Sequence, residues 1–290
     1  MNQAVDRSSL VFWGDFWRNR SGGQGAFKGR YPREVETFVV DNLRARLPKK
    51  TGCVIDIGAG ADLWLSTRIK QALPDCQLTA LDILEAERVA PDRSGITYVQ
   101  ASACASGLAA ASFDAVVSAF TVDYLDRDRI KTMDEIGRLL KPTGFALLVM
   151  HHKCSCIAPF FHYEITSLLS LRDALLKVLT SSKPWDRGRI AWLPGLSINS
   201  AELKRLVLNC RNKELPGPSE TEAKALVREE LRRVEGNLAI WRGLERNLFS
   251  EEGQVDDFFG GCGFISKVTT LLLPTATVLG FGVIANAAAA

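Results

Sequence analysis

Five short apolar segments between residues 53 and 150 alternate with polar or amphipathic stretches. The segments are Cys53–Ile57, Leu78–Asp82, Ile96–Gln100, Ser112–Phe120 and Phe145–Met150. Their length and β-branched content are typical of strands that are buried on both faces of a parallel sheet. Helical spacing of apolar residues follows the first segment and recurs over residues 128–141. Strands that alternate with helices predict an α/β fold with a doubly wound, mostly parallel sheet.

A glycine turn follows the first predicted strand, in the run Asp56-Ile-Gly-Ala-Gly60. Gly58 and Gly60 permit positive φ angles and a close approach of the backbone to a ligand, and Asp62 is predicted to begin the next helix. The second strand ends at Asp82, 22 residues after Gly60. That spacing is close to the roughly 20 residues expected for a carboxylate that accepts ribose hydroxyls. An acid at this position repels a 2′-phosphate, which disfavours an NADP-type ligand.

Two further motifs complete the pattern, Ser112-Phe-Asp-Ala-Val-Val-Ser118 in the fourth strand and Gly137-Arg-Leu-Leu-Lys-Pro-Thr-Gly144 before the fifth. With the glycine turn and Asp82 they make residues 51–152 resemble the class I S-adenosylmethionine-dependent methyltransferases. The resemblance implies a Rossmann-like sheet of seven strands that closes with an antiparallel hairpin, and S-adenosylmethionine as the cofactor. It also implies methyl transfer to an oxygen, nitrogen or carbon nucleophile of a small metabolite.

The resemblance also assigns cofactor contacts to individual positions. Ser102 occupies the position where the family usually has an acid that bonds the adenine amino group. Arg30 or Tyr31, in the basic and glycine-rich stretch of residues 18–33, would donate to the cofactor carboxylate, and the alternatives for this stretch are contact with an anionic substrate or a solvated loop. The other positions assigned to the cofactor are Asp56, Gly58, Gly60, Asp82, Ile83, Ala103, Ser118 and Phe120. Two departures from the family pattern, Ser102 and Asp62 in place of a frequent third glycine, leave open a protein that kept the fold and lost the site.

Candidate catalytic residues follow the fourth and fifth strands. An alcohol or phenol acceptor must lose a proton, and histidine is the usual base because it titrates near neutral pH. His151 and His152 follow the fifth strand, and strand alternation sends them to opposite faces, so we expect at most one to face the substrate, with His151 favoured. Asp123 and Tyr124 are alternative bases or orienting residues. A histidine that only caps the strand end is the structural alternative.

No metal site is predicted, because the spacing in His151-His-Lys-Cys-Ser-Cys156 fits no zinc signature. The seven cysteines show no disulfide framework and are expected to be free thiols in a reducing compartment. The opening residues show no signal segment, so the cytoplasm is the expected location. A net charge of +3 without a long basic run argues against a nucleic-acid substrate.

The predicted organisation has four parts. Residues 1–50 hold an aromatic and helical lid, residues 51–156 the cofactor-binding core, residues 157–258 an inserted helical cap, and residues 259–290 the last strands of the sheet. Within the insert, Asn199-x-x-Glu202 and Ser219-x-x-Glu222 predict helix starts through capping boxes. The uncharged stretch after residue 268 is expected to form a β-hairpin around Pro274 rather than a membrane anchor.

Several functional questions stay open at this level. A relative with the same cofactor site could catalyse intramolecular attack on the aminobutyrate chain of S-adenosylmethionine instead of methyl transfer. An inactive binding protein with the same fold is the other alternative. The oligomeric state is also open, with a homodimer as one option.

Overall fold

The computed structural model describes residues 32–47, 51–89, 94–125, 128–153, 158–181, 187–193, 198, 200–212, 219–272 and 278–287. Most of the predicted lid, residues 1–31, lies outside the described residues, and so do Ala288–Ala290. The chain forms two compact units, one of Met1–Ile157 with Asn247–Ala290 and one of Ala158–Arg246. The four-part organisation inferred from the sequence stays a prediction.

The first unit is built on a seven-stranded sheet. Its strands are β1 (Cys53–Ile57), β2 (Gln77–Asp82), β3 (Ile96–Gln100), β4 (Phe113–Ala119), β5 (Leu140–His151), β6 (Phe264–Leu272) and β7 (Val278–Ala287). Their order is β3-β2-β1-β4-β5-β7-β6, and β7 alone runs antiparallel to its neighbours. The chain winds outward in both directions from β1, so the gap between β1 and β4 is the switch point where such sheets bind ligands. The predicted doubly wound sheet and its closing hairpin are confirmed.

Eight α-helices lie within the described residues. They are α1 (Arg33–Arg46), α2 (Trp64–Ala72), α3 (Arg129–Leu139), α4 (Ala158–Thr180), α5 (Arg187–Ala191), α6 (Ala201–Arg211), α7 (Glu220–Asn247) and α8 (Glu252–Gly261). Short 3₁₀ turns span Ala86–Arg88 and Val122–Tyr124. None of the helices in the described part of the chain has the length and apolar character needed to cross a membrane.

Both faces of the sheet are covered, which explains its continuous apolar strands. Helices α1 and α2 bury Val39, Leu43 and Ile69 against one face, where they meet side chains such as Leu147 and Val149 of β5. Helices α3 and α8 pack on the other face, where they meet the alternate residues of the same strand, Leu148 and Met150. Successive side chains of β5 therefore pack in separate cores on the two faces of the sheet, as expected for a pleated strand.

The structure corrects three element boundaries. Helix α2 begins at Trp64, two residues later than predicted, because Leu63 adopts a left-handed conformation and Asp62 Oδ1 accepts the Trp64 N–H. Strand β5 begins at Leu140, within the stretch we expected to be a turn, and pairs there with Phe113.

The third correction lies in the second unit, where the cap of α6 is Ser200, one residue after the predicted Asn199, which lies outside the described residues. Its hydroxyl accepts the Leu203 N–H at 3.1 Å. The other capping box is confirmed, because Ser219 Oγ accepts the Glu222 N–H while the Glu222 carboxylate accepts the Ser219 N–H, both at 3.2 Å.

The second unit is an all-helical assembly of α4 to α7 within its described residues. Arg211 of α6 donates to the carbonyls of Ala191 and Leu193 at the end of α5. Among the aromatic residues of the insert, Trp241 is buried, whereas Trp192 is 87% exposed and Tyr163 is 68% exposed. Trp185 and the side chains of residues 160–162 lie outside the described set.

Candidate active site

The glycine turn after β1 has a backbone that only glycine adopts without strain. Gly58 has φ of +74° and Gly60 has φ of +72°. The N–H groups of Gly58 and Ala59 donate to the Leu81 carbonyl at 2.8 and 3.1 Å. The turn therefore stays attached to the carboxyl end of β2, next to the switch point of the sheet.

Asp82 holds the same turn through its side chain. Its Oδ2 accepts the Gly60 N–H at 2.8 Å, and its Oδ1 accepts the Leu84 N–H at 3.2 Å. Burial raises the pKa of Asp82, and the backbone N–H groups oppose that rise. A carboxylate has about four acceptor positions, so these two bonds leave acceptor capacity on both oxygens. Backbone N–H groups and a carboxylate are the chemistry expected for the amino acid and sugar portions of a nucleoside cofactor, and their role in binding one stays a prediction.

The carboxyl end of β4 supports the turn from the other side. Ser118 Oγ donates to the Ile57 carbonyl at 2.9 Å, and Thr121 Oγ1 lies 3.4 Å from the Gly58 carbonyl. A Cβ on Gly58 would stand only 2.2 Å from Thr121 Oγ1. Thr121 is a residue that sequence reasoning missed, since nothing in its local pattern marks a contact 63 positions away.

Asp56, the acid at the end of β1, is buried beneath the turn. Ser66 of α2 donates to Asp56 Oδ2 at 2.6 Å, which links the strand to the helix that follows it. Burial raises the pKa of Asp56 to about 7, with the Ser66 hydrogen bond opposing the rise and the nearby charge of Asp82 adding to it. The sequence indicated Asp56 but gave no sign of the Ser66 contact.

The remaining positions predicted to contact the cofactor differ in burial, hydrogen bonding and backbone conformation. Ala103 is buried in the core, and Ile83 is half-buried where β2 ends. Ser102 Oγ accepts the Cys104 N–H at 3.2 Å. Phe120 has a left-handed φ of 56° and lies just beyond β4. Arg30 and Tyr31 lie outside the described residues, and the cofactor roles of all these positions stay predictions.

His151 and Asp123 form a buried pair at the carboxyl ends of β5 and β4. His151 Nδ1 lies 2.6 Å from Asp123 Oδ2, and the His151 backbone N–H donates to the same oxygen at 2.7 Å. The side chains are 0% and 1% exposed. Phe120 stacks on the His151 ring with centroids 4.1 Å apart, and Tyr124 meets it edge-on at 5.2 Å. The structure thus brings together four residues that the sequence suggested separately.

Arg129, a residue that sequence reasoning missed, holds the turn that carries Asp123. It is buried, and its Nε and Nη2 donate to the carbonyls of Val122 and Asp123 at 3.3 Å. Its guanidinium also lies over the rings of Phe249 and Phe258. Burial alone would raise the pKa of Asp123, but His151 and, to a smaller extent, Arg129 bring it below its usual value.

His152 lies in a different environment. Its Nε2 lies 2.9 Å from the Ser250 carbonyl, and its ring meets that of Phe281 at 5.2 Å. The adjacent histidines therefore contact different groups, as strand alternation predicts. Whether either of them acts on a substrate stays a prediction.

Within the described ranges, no group of three His, Cys, Asp or Glu side chains could hold a metal ion. The described cysteines, Cys53, Cys76, Cys104, Cys210 and Cys262, are free thiols. Cys154 and Cys156 of the His-Cys cluster lie outside the described residues.

A groove of about 510 Å³ lies at the amino ends of β2 and β3, where it is lined by residues such as Gln77, Thr79 and Thr97. Parallel sheets bind their ligands at the opposite, carboxyl edge. The groove is therefore separate from the site built by the glycine turn, Asp82 and the His151–Asp123 pair.

Comparison with known proteins gives a consistent result. Residues 55–148 match the protein family described as a methyltransferase domain. No curated protein sequence matches the chain significantly. Among solved structures, 1,6-didemethyltoxoflavin-N1-methyltransferase of Burkholderia thailandensis, with bound 1,6-didemethyltoxoflavin and S-adenosylhomocysteine, has a TM-score of 0.56 at 12% identity. That alignment covers 100% of this chain and 92% of the other.

Human N-acetylserotonin methyltransferase, in complex with S-adenosylmethionine, has a TM-score of 0.49 at 13% identity. That alignment covers 99% of this chain and 60% of the human chain. The likeness to the Burkholderia thailandensis enzyme, at 12% identity, shows a shared fold and nothing finer. The family match, by contrast, spans β1 through most of β5 and includes the glycine turn, Asp82 and Asp123. Residues 55–148 therefore match a methyltransferase domain, and the sheet that contains them shares its fold with the Burkholderia thailandensis methyltransferase.

Proposed function

We propose that this protein uses S-adenosylmethionine to methylate an oxygen, nitrogen or carbon nucleophile of a small molecule. The observation that carries the proposal is the hydrogen bond between Gly60 and Asp82, next to the switch point of the sheet. This bond sets a glycine turn and a ribose-type carboxylate side by side, within a stretch that matches a methyltransferase domain. The Burkholderia thailandensis enzyme, which has a small molecule bound, supports a substrate of that class.

Each part of the site has a role in this proposal. Asp82 accepts the ribose hydroxyls, and the turn at Gly58 and Gly60, with the beginning of α2, binds the amino acid end of the cofactor. Asp56 and Ser118 support this arrangement through their bonds to Ser66 and the Ile57 carbonyl. Ile83, Ser102, Ala103 and Phe120 border the nucleoside, and Arg30 or Tyr31 donates to the carboxylate. When bound, S-adenosylmethionine supplies an electrophilic methyl group on a sulfonium.

The protein's own contribution to the reaction is placement of the acceptor. Reacting atoms held in line at near-contact distance and shielded from water account for much of the rate of such a transfer. The edge formed by the ends of β4 and β5 is where the acceptor would bind, since Asp123, Tyr124 and His151 meet there. A cytoplasmic location and a homodimer remain predictions.

Two measurements on the full chain test the proposal. Calorimetric titration with S-adenosylmethionine should show saturable binding, and absence of binding would refute it in favour of a protein that kept only the fold. Incubation with small-molecule acceptors, followed by mass spectrometry, should then yield S-adenosylhomocysteine. Methylthioadenosine formed without any acceptor would instead indicate intramolecular attack on the aminobutyrate chain.

A further inference from the structure

We infer that Asp123 and His151 act as a proton-accepting pair, so that the methyl acceptor is a neutral O–H or N–H group, an inference that rests on the proposed methyl transfer. Asp123 is then a positioning residue and not an alternative base. The acceptor class excludes groups that attack with no proton to lose, such as a carboxylate, a thiolate or a tertiary amine.

The hydrogen bonds of Asp123 fix the tautomer of the His151 ring. Asp123 Oδ2 accepts the His151 backbone N–H, so this oxygen has an acceptor role in the buried pair. The His151 Nδ1 atom 2.6 Å from the same oxygen must then carry a proton. In the neutral form of the ring, which carries a single proton, the second nitrogen, Nε2, therefore holds a lone pair.

His151 Nε2 is buried and has no hydrogen-bond partner within the part of the chain that the structure describes. Buried polar atoms are nearly always bonded, so an orphaned one calls for an explanation. A hydroxyl or ring N–H of a bound acceptor would satisfy this atom and hand it a proton. The positions of both strand ends support this role, because the ring lies at the ligand-binding edge of the sheet.

The negative charge of Asp123 stabilises the ring once it has gained a proton. Asp123 is buried with its second oxygen, Oδ1, also lacking a partner in the described residues, so the charge acts in a medium of low dielectric. Arg129 donates to the main chain of the turn and keeps the carboxylate aimed at the ring. Phe120 stacks on the ring and limits its rotation.

The reaction balances with these groups alone. As the acceptor oxygen or nitrogen bonds to the methyl carbon, the carbon–sulfur bond breaks and its electron pair goes to sulfur. The acceptor proton passes to His151 Nε2 and is later released to water. Because the His151 ring is closed to solvent, the acceptor must displace a neighbouring side chain to reach it. Tyr124, which meets the ring edge-on, is half-buried, whereas His151 is buried.

The tautomer is measurable without any substrate. Long-range proton–nitrogen correlation spectra of the full chain, labelled at its three histidines, report which ring nitrogen carries the proton. His151→Gln identifies the signals of His151. We expect protonated Nδ1 and unprotonated Nε2 near neutral pH, and Asp123→Ala should abolish the preference. A proton on Nε2 in the wild-type protein would overturn the inference, because that atom could then accept nothing.

The acceptor class is tested with naphthol, naphthylamine, naphthalenethiol and naphthoic acid as probes, with S-adenosylhomocysteine release as the readout. Asp123→Asn keeps an acceptor for the backbone N–H but removes the charge. We expect it to lower kcat for naphthol roughly 10²–10⁴-fold with KM little changed. Asp114→Asn, at the opposite end of β4, is the matched control. Equal turnover of naphthol by wild type and Asp123→Asn, or preferred turnover of the thiol or acid, would overturn the inference.

Failure of the proposed function would look different. If S-adenosylmethionine did not bind to wild type or to either variant, methyl transfer itself would be refuted. Normal binding combined with the wrong tautomer would refute only the proton-accepting pair.

Discussion

The backbone N–H of Gly60 lies 2.8 Å from Asp82 Oδ2, and this contact joins the ends of β1 and β2 through a side chain. The carboxylate expected to bind ribose therefore also fixes the turn expected to bind the amino acid end of the cofactor. A single residue thus sets the distance between two parts of the ligand site. The consequences can be tested at the turn, beneath it and at the neighbouring strand ends.

Gly58→Ala should destabilise the protein and weaken cofactor binding. A Cβ at this position would lie 2.2 Å from Thr121 Oγ1, and the φ of +74° is strained for any L side chain. We expect a loss of about 1–3 kcal/mol in the free energy of unfolding, measured with urea. The control is Gly253→Ala in α8, where a Cβ meets nothing within 4 Å. Adding Thr121→Ala should recover part of the loss, and equal stability of the two glycine variants would contradict this account.

Asp56→Asn should change the pH dependence of stability. The pKa of Asp56 is about 7 in the folded protein against 3.8 for the unfolded reference, so the folded state retains a proton that the unfolded state loses. The wild type therefore loses stability as pH rises from about 4 to about 7. Asparagine does not titrate, so the variant does not lose stability in this way. At about 1.4 kcal/mol per pKa unit, its free energy of unfolding should rise by a few kcal/mol relative to that of wild type between these pH values. A stability difference that stayed constant with pH would contradict the prediction.

Asp123→Ala should cost more stability than Asp123→Asn. Alanine leaves both the His151 backbone N–H and the buried His151 ring without an acceptor. We therefore expect it to lower the free energy of unfolding by about 3–5 kcal/mol. Asparagine can keep one acceptor in place. The pKa of Asp123 is lower in the folded protein than the unfolded value of 3.8. Its ionised carboxylate therefore contributes its full stabilisation above pH 3.8, and that stabilisation is lost as the pH falls through the lower, folded pKa. The gap between wild type and Asp123→Ala, measured by denaturation, should therefore narrow in acid.

Periodicity and turn chemistry allowed much of this fold to be predicted from the sequence. The glycine turn, the strand that ends at Asp82 and the hairpin after residue 268 all have local signals, and the structure has each of them. The two helix-start predictions in the second unit show the limit. Ser219 matched its capping box, whereas the cap before Glu202 is Ser200, because two neighbouring residues could each cap a helix and only the chain path selects between them.

The sequence predicted which residues belong to the site better than it predicted the contacts between them. His151 and Asp123 were both candidates from their positions after strands, but the bond between them joins residues 28 positions apart across two strand ends. Thr121, Ser66 and Arg129 carried no local signal, because their roles depend on which groups the fold sets opposite them. The short helix α8 was also missed, since its glycines and adjacent acids weaken the amphipathic pattern.

The most direct test of the account is calorimetric titration of S-adenosylmethionine into wild type, Asp82→Ala and Asp114→Asn. Asp114 is a carboxylate on the same sheet that accepts the Cys53 N–H at the opposite edge, so its replacement controls for general loss of a charge. Loss of hydrogen bonds to a charged group is worth about 1.5–3 kcal/mol, which corresponds to roughly a 10- to 100-fold change in affinity. We predict that loss for Asp82→Ala and wild-type affinity for Asp114→Asn. Unchanged affinity in Asp82→Ala would contradict the central claim.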